Sequence, residues 1–219
     1  AASDVYKRQN RVTFRDNKLR RAIGKEVIES YLYNIVRQLD TVTWISPELL
    51  YKKGKDKLLT SDVIAAEGDN VIFYDTKAIT PSLKLRKFDV AEIEADIEIY
   101  AEDVIQIYNQ INNYLQGCFQ LDKQYLKDKI FGIVVVLEDA VVSRKKVYEK
   151  VYEILEKTET LDTEEKNYIC SHIKVLPLRA IECMILQNTS LLPELIEQLS
   201  KPERWYDYTY TNATIENGK

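Results

Sequence analysis

The spacing of apolar residues changes period several times along the chain, and each change marks a predicted element. Ile23, Val27, Ile28, Tyr31, Leu32, Ile35, Val36 and Leu39 recur at helical spacing, which predicts an amphipathic helix over 22–39, stopped by Asp40-Thr41. The period then shortens to two. Residues 48–52, 61–66 and 70–76 read as strands. The first two are separated by a polar turn over 53–57, the last two by Glu67-Gly68-Asp69-Asn70, whose composition suits a tight hairpin. A loop over 79–87 with Pro81 leads to Asp89, an N-cap for a long helix running to about 116 and closed by Gly117. Residues 129–137 are mostly apolar and rich in β-branched side chains, as a strand covered on both faces should be. Helices over 143–157 and 163–171, a short strand over 173–176 and closing helices over 178–187 and 191–199 complete the pattern.

The order α–β–β–β–α–β–α–α–β–α–α predicts an α/β fold, a mixed central sheet flanked by helices on both faces. Residues 10–200 are expected to form one domain and 201–219 a flexible, polar and aromatic tail. Residues 1–9 lack the apolar centre of a signal peptide. They resemble translated adapter read-through in metagenomic sequences, so they are expected to be non-native, with an upstream part of the protein missing.

Composition narrows the functions open to such a fold. The chain of 219 residues is 45% hydrophobic and 30% charged, a globular balance. No stretch approaches the roughly 18 apolar residues of a membrane helix. A net charge of −4 argues against coating nucleic acid by bulk charge, yet leaves room for a local basic groove. Cys118, Cys170 and Cys183 are odd in number and far apart, so they read as small buried hydrophobes in a reduced cytoplasm. The single histidine, His172, excludes multi-histidine zinc sites and reads as structural. Phosphate-cradling glycine motifs are absent.

The chemistry lies in the hairpin. A two-residue turn at Gly68-Asp69 sets Glu67 opposite Asn70, Ala66 opposite Val71 and Asp62 opposite Asp75. Directly opposed residues have Cβ atoms about 5 Å apart, and like charges there destabilise the pair. A divalent cation that prefers hard oxygen ligands would offset the repulsion. Lys77, two residues beyond Asp75, leaves the same strand face. Two acids, a cation and an amine are the parts of metal-assisted phosphodiester hydrolysis.

The stretch Ser61-Asp62-Val63-Ile64 through Val71-Ile72-Phe73-Tyr74-Asp75-Thr76-Lys77, after an amphipathic helix, resembles the signature of the PD-(D/E)XK nuclease superfamily. The resemblance covers roughly residues 20–140. Ser61 stands where the family name has proline, and Asp75 where glutamate is commoner. The resemblance implies a restriction-endonuclease-like core, α-β-β-β-α-β. It also implies a catalytic set of Asp62, Asp75 and Lys77, with Asp62 and Asp75 as metal ligands. Gly24-Lys25-Glu26-Val27-Ile28-Glu29 matches a first-helix pattern of many members, making Glu29 a further catalytic residue and metal ligand, with Glu26 the fallback. Gln110-Ile111-Asn112-Asn113-Tyr114 matches the Q-x-x-x-Y of the RecB-like branch, so Gln110 and Tyr114 are expected at the site, with Gln106 a nearby competitor. Lys84, Arg86 and Lys87 are candidates for holding the phosphate backbone.

The function these residues imply is a Mg²⁺- or Mn²⁺-dependent phosphodiesterase, an exo- or endonuclease acting on DNA in the cytoplasm. The alternative is a catalytically inactive nuclease-like domain that binds DNA or a partner protein.

Overall fold

The computed structural model describes residues 27–77, 89–137, 142–157 and 161–186. The expected loop over 79–87 with Lys84, Arg86 and Lys87, the helix over 191–199, the tail, and residues 1–9 lie outside the described residues.

The described chain runs α1 (Ser30–Val36), β1 (Val42–Pro47), β2 (Leu50–Lys53), β3 (Asp56–Leu59), β4 (Val63–Glu67), β5 (Asn70–Lys77), α2 (Val90–Leu115), β6 (Ile130–Val136), α3 (Arg144–Leu155), α4 (Thr163–His172), β7 (Ile173–Pro177) and α5 (Leu178–Leu186). Five strands form one mixed sheet in the order β1-β4-β5-β6-β7. The β1–β4 and β4–β5 pairs are antiparallel, whereas β5–β6 and β6–β7 are parallel. The expected fold class, a mixed sheet flanked by helices, therefore holds.

Two strand expectations need correction. The first strand of the sheet is β1, which lies between the expected first helix and the strand expected at 48–52. It is an edge strand, only partly buried and bulged between Val42 and Trp44, so it carries no long apolar run to announce it. Pro47 at its end is tolerated because an edge strand need not donate on its outer side. The strand expected at 48–52 is β2, and it pairs only with β3 in a separate two-stranded hairpin. The presumed polar turn shrinks to Gly54-Lys55 between paired Lys53 and Asp56.

The central hairpin has the expected register. Glu67 faces Asn70 and Ala66 faces Val71, around a turn whose Gly68 has φ of 60°, a left-handed conformation costly for other residues. Alternation divides the sheet's side chains between two cores. Ile64, Ala66, Val71 and Phe73 pack under α2, which contributes Tyr100, Val104, Ile107 and Ile111, with α3 and α4 beside it. Val63, Ala65, Ile72 and Tyr74 pack with Leu32 and Val36 of α1 and Ile181 and Met184 of α5. Strand β6 is buried throughout, as its apolar run requires. Its Gly132 lies so close to α2 that a Cβ there would collide with Ile107 Cγ2.

Asp89 caps α2, its carboxylate accepting from the backbone N–H groups of Ala91 and Glu92. His172 is structural, as expected. Its ring stacks on Phe131 and Tyr168 at centroid distances of 5.0 and 4.5 Å. Burial lowers its pKa and favours the neutral ring. The three cysteines are free thiols but only partly buried, not fully so as expected. Among the described residues no helix is long and apolar enough to cross a membrane.

Candidate active site

The site begins where β4 stops. The β4–β5 ladder ends at Val63 opposite Tyr74, so Asp62 and Asp75 are the next residues beyond the last pair. Strand β5 continues, with Asp75, Thr76 and Lys77 still paired to Val134, Val135 and Val136 of β6. Asp62 fills the place the departed strand leaves open. Its Oδ2 accepts from the Thr76 backbone N–H and from Thr76 Oγ1, both at 2.7 Å.

Asp75 and Lys77 project toward α2. Lys77 Nζ lies 2.7 Å from Asp75 Oδ2 and 3.4 Å from Asp103 Oδ1, and donates to Gln106 Oε1 at 3.0 Å. The Asp75 contact is a close ion pair, and both its distance and its pull on the two groups are those of a strong charge interaction. Oδ2 of Asp103 is buried and has no hydrogen-bond partner among the described residues.

Burial dominates the electrostatics. It pushes the Asp75 carboxyl up to about 6; Lys77 opposes this, while Asp62 and Asp103 add to it. Burial likewise raises Asp62 against the hydrogen bonds from Thr76, and raises Asp103 against the pull of Lys77. For Lys77 burial favours the neutral amine, but Asp75 and Asp103 together outweigh it and the ammonium is held above its ordinary range. An ion pair alone would depress Asp75. Its upward shift comes first from burial, to which the neighbouring charges of Asp62 and Asp103 add.

The other expected residues separate. Glu29, in the π-helical turn at 27–29 leading into α1, shares a cavity of about 520 Å³ with Asp62, Glu48, Tyr33 and Asn34. Gln110 is buried against the residue before Asp62, its Oε1 accepting from Ser61 Oγ. Tyr114 is not brought to Lys77. Its hydroxyl donates to the Lys123 carbonyl at 3.1 Å and accepts from the Tyr125 N–H at 2.8 Å, and its ring packs on Phe73 and Phe119. The reason is helix geometry: Tyr114 lies eight residues, roughly 12 Å, along α2 from Gln106. Gln106, the competitor, is the glutamine in contact with Lys77.

Asp103 was not anticipated. Its signal is periodic, since Asp103, Gln106, Gln110 and Asn113 fall three, four and three residues apart. They form a polar stripe on a helix that otherwise packs apolar residues on the sheet.

The donor chemistry fits a divalent cation. Asp62 and Asp75 offer hard oxygen donors whose mutual repulsion a cation would relieve, and Glu29 lines the adjoining cavity. Among the described residues no three His, Cys, Asp or Glu side chains are gathered closely enough to hold a metal ion by themselves. Water and substrate oxygens would have to complete the shell, as Mg²⁺ commonly accepts.

These features define an α/β protein with a carboxylate–lysine constellation at the end of a mixed sheet. No protein-family model matches the chain, and no curated protein matches its sequence. Among solved structures it is similar to the small subunit of the heterodimeric restriction endonuclease R.BspD6I, with a TM-score of 0.38 and 9% identity over 86% of each chain.

Proposed function

We propose that the chain is a Mg²⁺- or Mn²⁺-dependent nuclease of the PD-(D/E)XK type, RecB-like, that hydrolyses DNA phosphodiester bonds. One observation carries the reading: the hairpin ladder ends one pair short of Asp62 and Asp75, leaving both carboxylates at one sheet end with Lys77 Nζ 2.7 Å from Asp75. A divalent cation bound there would polarise the phosphoryl oxygens and supply a water of lowered pKa. Asp62 and Asp75 hold it, and Thr76 fixes the orientation of Asp62. Lys77 stabilises negative charge developing on the phosphate, while Asp103 and Gln106 position its ammonium. Glu29 reaches the cavity beside Asp62, and Lys84, Arg86 and Lys87 steady the phosphate backbone. Gln110 acts through Ser61 on the Asp62 segment.

The test is incubation of the protein with linear, circular and single-stranded DNA, and with RNA, with and without Mn²⁺ or Mg²⁺. Divalent-dependent DNA cleavage is expected, reduced at least about 10²-fold in Asp75→Ala and in Lys77→Ala. A wild-type protein that binds DNA but cleaves none of these substrates under either metal would sink the reading.

A second reading is a catalytically silent nuclease-like domain that binds DNA or a partner protein. It is favoured by the way Lys77 is engaged by Asp75, Asp103 and Gln106 together. Calorimetric titration separates the two, since the silent domain would take up neither Mg²⁺ nor Mn²⁺.

A further inference from the structure

The β2–β3 hairpin stands apart from the main sheet and has the opposite charge to the rest of the chain. Residues 50–59 carry Lys52, Lys53, Lys55 and Lys57 against the single acid Asp56, in a protein of net charge −4. Its inner face is fastened to α2. Tyr51 is buried, its ring 4.8 Å from that of Phe119, and its hydroxyl accepts from Asn113 Nδ2 at 2.8 Å. Lys53 Nζ donates to Asn113 Oδ1 at 2.7 Å. At the base, Leu49 and Thr60 exchange hydrogen bonds of 2.8 and 2.9 Å.

Strand alternation turns the intervening residues outward. Lys52 and Lys57 are exposed and directly paired across the two strands, and Lys55 lies in the turn. None of the three has an ion-pair partner among the described residues. Two cations opposed on one face destabilise a hairpin unless an anion lies over them.

Position gives the anion its identity. The polar stripe of α2 that contacts Lys77 through Gln106 reaches the hairpin through Asn113, seven residues or roughly 10 Å further along the helix. That distance is about three nucleotide steps of one strand. Charge along α2 is polarised in the same sense. Glu92, Glu94, Asp96, Glu98, Glu102 and Asp103 crowd the stretch from Val90 to Asp103, and no charged residue follows Asp103 in the helix. A polyanion is repelled from that stretch and accommodated beyond it.

We propose that the β2–β3 hairpin is a clamp for the phosphate backbone of duplex DNA, with Lys52, Lys55 and Lys57 contacting phosphates flanking the bond held at Asp62, Asp75 and Lys77. It rests on the nuclease reading for its choice of DNA, but it is tested without turnover.

The experiment is fluorescence anisotropy of the full chain with a labelled DNA duplex in EDTA, across a salt series. The Lys52→Ala/Lys55→Ala/Lys57→Ala variant should bind at least about tenfold more weakly, and its slope of log affinity against log salt should fall by about 3. Lys52→Glu converts the opposed pair to opposite charges. It should raise the melting temperature while weakening DNA binding, an outcome that damage to the fold cannot mimic. An unchanged salt slope in the triple variant overturns the clamp, as does wild type that ignores the duplex or prefers RNA. Cleavage assays of the same proteins keep the readings apart. Active wild type with an unaffected slope removes only the clamp, whereas inactive wild type with the expected loss of slope removes only the nuclease.

Discussion

At the scale of single residues, the site is a conflict between charge and burial. Asp75 is 5% exposed at its side chain and its carboxyl is pushed up to about 6, against an ordinary 3.8. The folded chain therefore holds the Asp75 proton more tightly than the unfolded chain. This contribution to stability is complete below the unfolded value and is lost as pH rises through 6. At neutral pH the ionised group opposes folding by an amount on the order of 3 kcal/mol. Asp75→Asn should then melt higher than wild type at pH 7.5 in EDTA, with the gap closing at pH 4.5, even as cleavage is lost. The comparison must be a difference between the two proteins, because half-buried His172, whose pKa is lowered, destabilises the fold on acidification in both. A variant less stable than wild type at both pH values would contradict the assignment. Much of this site was legible beforehand: turn chemistry fixed the hairpin register, and the register put Asp62 and Asp75 at the same level. Lys77's partners were not, because a helix carries several polar residues within reach of one amine and only packing selects Asp103 and Gln106 over Gln110 and Tyr114.

At the scale of elements, legibility followed burial. Strand β6 and helix α2 are covered by protein and have strong patterns, whereas β1 and the β2–β3 hairpin are half exposed and have weak ones. Pattern reading detects the number of apolar neighbours an element will have, so β1 and β3 escape it while β2 is found only as an isolated strand. The close seat of α2 on β6 gives a prediction of its own. Gly132→Ala places a methyl group against Ile107, which belongs to a tightly packed core. The variant should lose about 1–3 kcal/mol, read from chemical denaturation. Ile107→Ala, which removes the Cγ2 methyl in the way, should cost less in the Gly132→Ala background than in wild type. Additive destabilisation in the double variant would mean that the helix does not rest on this glycine. The site should respond as well, because Asp103 and Gln106 sit on the same turns of α2 as Ile107. A Gly132→Ala protein that remains folded should cleave more slowly at an unchanged metal affinity.

At the scale of the whole molecule, the sheet end and α2 together gather more negative than positive charge, which on the proposed reading a cation would balance. Two buried carboxylates, Asp75 and Asp103, contact the ammonium of Lys77, with the half-buried Asp62 beside them on Thr76, and burial raises the pKa of each acid. A divalent ion bound to the folded state would supply the missing charge, and the unfolded chain offers no such arrangement. Binding must therefore appear as stability: at a metal concentration a hundredfold above Kd the gain is about 2.7 kcal/mol, or several degrees in Tm for a chain of this length. Because the ion keeps Asp75 ionised, the gain should be larger at pH 7.5 than at pH 5.5, where metal and proton compete for the same oxygens. Asp75→Asn should show little or none of it. Lys77→Ala is the more discriminating variant. It removes the amine that competes with the metal for Asp75, so it should retain or enlarge the Mn²⁺-dependent rise in Tm while losing cleavage. Loss of both together in Lys77→Ala would mean that the lysine builds the site rather than serving its chemistry, and the division of labour between acids and amine would have to be redrawn.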